Sequence, residues 1–168
     1  AQKNLGPAGV IIAIVKKAFL ATARDDVPTM LSYKTFAEHD SLYNTPPVFC
    51  IYMVNKTLKW IRAQGGTEAL ARRNREKAAL IYDTIDTSDG FYVGHAQKPY
   101  RSQMNITFNL ADRELEKDFV ARAKAQGFVG VGGHRLVGGC RASTYNAVPY
   151  EACEALARFM KEYQKDHA

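Results

Sequence analysis

Residues 104–110 read MNITFNL, and their alternation decides the fold. Met104, Ile106, Phe108 and Leu110 fall to one side and polar residues to the other, the pattern of a strand with one buried and one wet face. Just downstream, Asp112 can cap a helix that runs to about Gln126 and stops at Gly127, with Leu115, Phe119 and Ala123 inward. FVGV (128–131) and LVGGCRASTY (136–145) read as two further strands around a glycine-rich turn. A last helix opens at Pro149 and carries Cys153, Leu156, Ala157, Met160 and Tyr163 at helical spacing. The second half is therefore a β-α-β-β-α layer, a small α+β domain.

Upstream, the texture differs. VIIAIV (10–15) is a continuous β-branched run and predicts a buried strand, followed by a short helix around AFLATA. Residues 25–47 lack periodicity, contain Pro28, Pro46 and Pro47, and read as a long loop. Pro46 and Pro47 are placed to open a helix that ends at Gly65 and Gly66. Its apolar residues go nearly all round, so deep packing is expected. Thr67 is the expected cap of the next helix, whose stripe is Leu70, Ala78, Ile81 and Ile85 and whose wet face holds Arg72, Arg73, Arg75 and Glu76. A single strand cannot make a sheet. The first half therefore reads as the tail of a larger α/β domain, with residues before Ala1 expected.

Composition narrows the function classes. The 168 residues are 46% hydrophobic and 24% charged, which is globular. No apolar run approaches the length of a membrane span, and VIIAIV, with no basic stretch before it and no small-residue cleavage site after it, does not read as a secretion signal. The cysteines Cys50, Cys140 and Cys153 are odd in number and widely spaced, without zinc spacing, and fit reduced thiols in a cytosolic protein. The net charge of +6 favours anionic partners. Its cations are scattered among acids, as in ARRNREK, and no nucleic-acid signature is present.

Three stretches carry chemistry. In AQKNLGPAG (1–9), Lys3 is an amine that can form an imine with a carbonyl once deprotonated, and Gln2 and Asn4 are neutral hydrogen-bonding neighbours. Read alone the signal is weak, since a lysine near a terminus is solvated far more often than catalytic. In LYNTPP (42–47), Asn44 and Thr45 precede a proline-opened helix, a place for an anion or for ordinary capping. In GGHRLVGGCRAS (132–143), His134, Arg135 and Arg141 stand among glycines, and an anion pocket is expected there.

These stretches, in this order, resemble the phosphoserine aminotransferases, members of the class V aminotransferases with the aspartate aminotransferase fold type, pyridoxal-phosphate-dependent enzymes of α/β architecture. The carrying motifs are AQKNLGPAG, YNTPP and GHRLVGGCRASTYNAVP, and the likeness spans essentially the whole chain. It implies that Lys3 forms the Schiff base with pyridoxal 5′-phosphate, that Gln2 contacts the cofactor phosphate, and that Asn44 and Thr45 reach the cofactor phosphate of the neighbouring subunit in a homodimer. It also implies that His134 and Arg135 hold the substrate phosphate and that Arg141 binds the substrate α-carboxylate. The implied reaction passes the amino group of glutamate to 3-phosphohydroxypyruvate, giving phosphoserine and 2-oxoglutarate for serine biosynthesis in the cytoplasm, with no membrane or nucleic-acid partner. Family chains are considerably longer, so the resemblance makes this the carboxyl-terminal half: residues 1–66 end the large cofactor domain and start the interdomain helices, and residues 67–168 form the small domain. On its own such a half is not expected to catalyse efficiently. Two alternatives stay open: a related aminotransferase acting on 4-phosphohydroxythreonine of the vitamin B6 route, and a non-catalytic anion- or nucleic-acid-binding module.

Overall fold

The computed structural model of the chain describes all of residues 1–168. Two compact units are present, Ala1–Trp60 and Ile61–Ala168. The division falls inside a helix rather than at the Gly65–Gly66 stop that ends it.

In the second unit, helix α4 (Gly66–Asp86) leads to strands β1 (Val93–Gly94) and β2 (Asn105–Asn109). Helix α5 (Arg113–Ala125), strands β3 (Gly132–His134) and β4 (Gly138–Ser143), and helix α6 (Tyr150–His167) follow. The sheet is antiparallel throughout, in the order β1-β2-β4-β3. Asp112 caps α5 as expected, accepting from the Leu115 amide at 2.8 Å. The β3 strand lies just after FVGV, because Gly130 takes a left-handed turn (φ +80°) before pairing begins.

Alternation is strict where it matters. Ile106 and Phe108 of β2 and Cys140 and Ala142 of β4 are buried, and the residues between them are half exposed. The buried positions pack on Ala78, Ile81 and Ile85 of α4, Phe119 and Ala123 of α5, and Cys153, Leu156, Phe159, Met160 and Tyr163 of α6. All three helices therefore cover one face of the sheet. Edge-to-face ring contacts run through this core, with Phe119 at 5.8 Å from Phe108 and 5.0 Å from Tyr163. The opposite face carries Asn105, Thr107, Asn109, Arg141 and Ser143, and no helix of this unit lies over it.

The first unit departs from expectation. It holds the short helices α1 (Lys17–Ala21) and α2 (Tyr33–Glu38) and most of α3 (Val48–Ala63). VIIAIV pairs with nothing and forms no strand, and Ile11 and Ile14 are 90% and 98% exposed. The reason is hydrogen bonding: an isolated extended run has no ladder to join. The region read as a long loop contains α2, opened by Ser32, whose Oγ accepts from the Thr35 amide at 3.4 Å. Apolar residues go nearly all round helix α3, yet Val54 is its one buried residue, and Val48, Phe49 and Tyr52 lie open. No helix of the chain is long and apolar enough to cross a membrane.

The connection from β1 to β2 is held down on α4 by charge. Arg101 makes two parallel hydrogen bonds to Asp86 (2.7 and 2.9 Å) and lies 4.5 Å from the ring centre of Tyr82, and Lys98 stands 3.1 Å from the same carboxylate. The hydrogen bond from Arg101 is the main reason the Asp86 pKa falls to about 2. A carboxyl depressed on folding stabilises the fold above its ordinary pKa, and that contribution fades as pH falls through the folded value. Asp86→Asn should thus flatten stability against pH between about 4 and 2. Denaturant midpoints taken across that interval check this, and an unaltered acid limb would contradict it.

Candidate functional site

The sequence-predicted residues fall into the two units. In the first, the AQKNLGPAG stretch is folded against α3. Gly6 lies so close to it that a Cβ would stand 3.1 Å from Val54 Cγ2, and at Gly9 (φ +111°) a Cβ would stand 2.9 Å from Cys50 Sγ. The Cys50 thiol donates to the Ala8 carbonyl at 3.3 Å. These close approaches explain the glycines that flank Lys3: the chain must lie flat on a helix. The Leu5 amide bonds the Gln2 carbonyl at 3.3 Å, so Lys3 sits in a tight turn at φ +63°, a left-handed conformation that costs a non-glycine residue energy. Gln2 and Lys3 are exposed within this unit. Asn44 and Thr45 are exposed just ahead of α3, and the Asn44 amide donates to the Thr45 carbonyl at 3.1 Å.

In the second unit, the glycine-rich stretch is the β3–β4 hairpin. His134 pairs with Gly138, and Arg135, Leu136 and Val137 form the exposed tip. The tip lies beside α5, sharing a cleft with Arg113, Lys117 and Lys124. The ring Nδ1 of His134 accepts from the Leu136 amide at 3.3 Å. Arg141 lies three residues further along β4 than Gly138, about 10 Å away. Its register partner is Thr107, and it stands on the face away from the helices. His134 has the opposite parity. The hairpin therefore separates the three cations into a His134–Arg135 pair at its tip and Arg141 on the open sheet face, so the single pocket expected from their proximity in sequence is not formed within this unit.

Arg141 is half buried, and its Nε is fully buried without a hydrogen-bond partner. A guanidinium N–H that is buried without a partner is costly, and this one belongs to a side chain on the face that no helix of this unit covers. The glycines around it have structural causes. A Cβ on Gly139 (φ +69°) would come within 2.9 Å of the Phe108 carbonyl oxygen, and one on Gly133 within 1.9 Å of the Gly138 carbonyl oxygen. Glu116 of α5 ties the hairpin base down, accepting from the Gly139 amide at 3.2 Å and from the Asn109 side-chain amide at 3.1 Å. Beside Arg141, burial pushes the Cys140 thiol up to about 12, with Glu116 adding to the shift, so it stays protonated and is no nucleophile.

The class-V aminotransferase profile matches residues 1–156. The chain belongs to this family. Among curated class-V relatives, it is 60% identical over 167 residues to the phosphoserine aminotransferase of Lysinibacillus sphaericus and 54% identical over 167 residues to that of Bacillus subtilis. In each case 99% of the chain is covered and 46% of the relative, so the chain spans about half the length of the curated relatives it matches. The phosphoserine aminotransferase structure from Bacillus circulans subsp. alkalophilus superposes with a TM-score of 0.94 at 55% identity, over 98% of the chain and 46% of that protein. A structure described as radiation damage of the Schiff base in phosphoserine aminotransferase matches at TM-score 0.93 and 60% identity, over 97% of the chain and 45% of that one. A pyridoxal-phosphate-bound relative from Trichomonas vaginalis matches at TM-score 0.76 and 36% identity, over 82% of the chain and 39% of its own. The fold is that of these pyridoxal-phosphate-dependent transferases.

For a class-V chain, sequence reading missed two polar residues of α4, Asn74 and Lys77, both 2% exposed. The signal was present: they fall at i+4 and i+7 from Leu70, in the apolar stripe itself. The hairpin supplies a direct test of the geometry. Gly133→Ala is expected to force β3 off β4 and to cost about 1–3 kcal/mol by overpacking. Urea unfolding measures this, and an unchanged midpoint would refute the close approach.

Proposed function

We propose that this chain is the carboxyl-terminal part of a pyridoxal-phosphate-dependent phosphoserine aminotransferase, with residues 1–66 ending the cofactor domain and starting the interdomain helices, and residues 67–168 forming the small domain. The reaction moves the amino group of glutamate to 3-phosphohydroxypyruvate in a cytoplasmic homodimer. The observation that carries this reading is Arg141, a half-buried cation with an unmatched Nε on the open face of the sheet.

The residues present fit the cofactor. Lys3 offers an exposed amine on a strained turn, Gln2 and Thr45 offer neutral donors suited to phosphate oxygens, and Asn44 adds an amide beside the start of α3. Gln2 would hold the cofactor phosphate within the same subunit, and Asn44 and Thr45 that of the neighbouring subunit. When bound, pyridoxal phosphate supplies the electron sink that lets a Cα proton leave. The chain's own contribution is positional and protonic. Lys3 Nζ would hold the cofactor, and its amine, when free, would accept the proton from the substrate Cα and return it on the same face. Arg141 fixes the α-carboxylate with two parallel hydrogen bonds, which fixes the direction in which the Cα–H bond points toward Lys3. His134 and Arg135 take the substrate phosphate, and the charge of +6 suits a set of substrates that are all anions.

Two outcomes test this. The full-length protein with added pyridoxal phosphate should show a visible absorbance band that glutamate bleaches, and Lys3→Ala should abolish the band. A spectrum indifferent to that substitution would remove Lys3 from the reaction. Arg141→Lys keeps the charge but loses the planar fork. Losing one charge-assisted hydrogen bond, about 1.5–3 kcal/mol, should raise the apparent KM for glutamate and for the oxo acid roughly ten- to a hundredfold. Steady-state kinetics with each substrate varied measures it, and unchanged values would take Arg141 out of the carboxylate role.

A further inference from the structure

One buried cation plays no part in the chemistry above. Lys77 is 2% exposed, and its ammonium donates to three main-chain carbonyls: Tyr145 at 2.8 Å, Val148 at 2.9 Å and Thr144 at 3.1 Å. Those bonds use every proton the group carries. One turn earlier on the same side of α4, Asn74 donates from Nδ2 to Asn146 Oδ1 at 2.7 Å. The pair grips residues 144–148, which join β4 to α6. The sheet grips the same segment from its other end. The Thr144 amide bonds the Met104 carbonyl at 2.9 Å, the Thr144 hydroxyl donates to the Gln103 carbonyl at 3.1 Å, and Ser143 and Tyr145 both donate to Asn105 Oδ1 (3.0 and 3.3 Å).

Burying an ammonium is unfavourable, and an apolar side chain of similar length would fill this space without the desolvation. Burial accordingly pulls the Lys77 pKa down from the ordinary lysine value, while the three carbonyls favour its charged form. What a cation gives here, and a methyl group does not, is geometry: it holds three carbonyls of one turn at fixed positions. The first of them lies three residues beyond Arg141, on the continuation of the same strand. Arg141 projects to the face away from the helices, so Lys77 touches nothing bound there. Its influence passes through the placement of β4.

We propose that Lys77 is a positioning residue, whose clasp on the 144–148 turn holds the end of β4 so that the Arg141 fork meets a substrate carboxylate. This rests on the assignment of Arg141 to the carboxylate. Coupling of this kind is reciprocal: if the clasp sets the affinity at Arg141, then occupancy of Arg141 must tighten the turn.

The test uses the full-length holoenzyme. Lys77→Met keeps the length of the side chain and removes its charge. The KM for glutamate should rise about tenfold, within the roughly 5–150-fold range of coupling between sites, and kcat should change by less than about twofold. In the unmodified enzyme, saturating 2-oxoglutarate should slow hydrogen exchange at the Val148 amide, which bonds the Tyr145 carbonyl within the clasped turn. A variant that is less stable but has an unchanged KM would overturn the proposal. So would a Val148 amide indifferent to 2-oxoglutarate, and that measurement decides alone if Lys77→Met does not fold. Failure of the underlying reading looks different: Arg141→Lys would then leave KM unchanged, whatever Lys77→Met does.

Discussion

The register of β4 against β2 is the constraint on which the second unit depends. Ile106 faces Ala142 and Phe108 faces Cys140 on the helical side, which leaves Thr107 and Arg141 opposed on the other. Strand side chains alternate with a period of two, so a slip of one residue would drive the guanidinium among Phe119, Met160 and Ile81 and turn the core residues out to water. The aromatic core therefore does more than stabilise the sheet. By fixing which residues go in, it fixes which cation comes out. The close glycines serve the same end, since Gly133 and Gly139 allow β3 and β2 to approach β4 without side chains between the backbones.

The two units differ in how completely they bury their apolar residues. Residues 61–168 close around one core shared by three helices and a sheet. Residues 1–60 leave Ile11, Ile14, Phe49 and Val48 largely exposed, and only the glycine-flanked stretch is drawn firmly onto α3. That contact sets the turn on which Lys3 stands.

The second unit was legible in the sequence because its signals are local. MNITFNL shows its alternation, Asp112 caps α5 as it should, and Leu70, Ala78, Ile81 and Ile85 form the stripe of α4. The first unit was less legible because its outcome depends on partners. VIIAIV has every intrinsic preference of a strand and still forms none, since a strand exists only as a member of a ladder. In the glycine-rich stretch, the motif shows which cations stand there but not how they are arranged. His134 and Arg141 are near in sequence, and only the pairing of His134 with Gly138 reveals that parity sends them to opposite faces. Lys77 was hidden for another reason: its three partners are backbone carbonyls, which leave no mark on the sequence around them.

The most direct test is a crystal structure of the full-length enzyme with glutamate or 2-oxoglutarate bound. The account predicts the substrate α-carboxylate on the open face of the sheet, with Arg141 Nε and one of its terminal nitrogens each donating to one carboxylate oxygen. A carboxylate held elsewhere, with the Arg141 fork closed on an aspartate or glutamate of the protein, would contradict it.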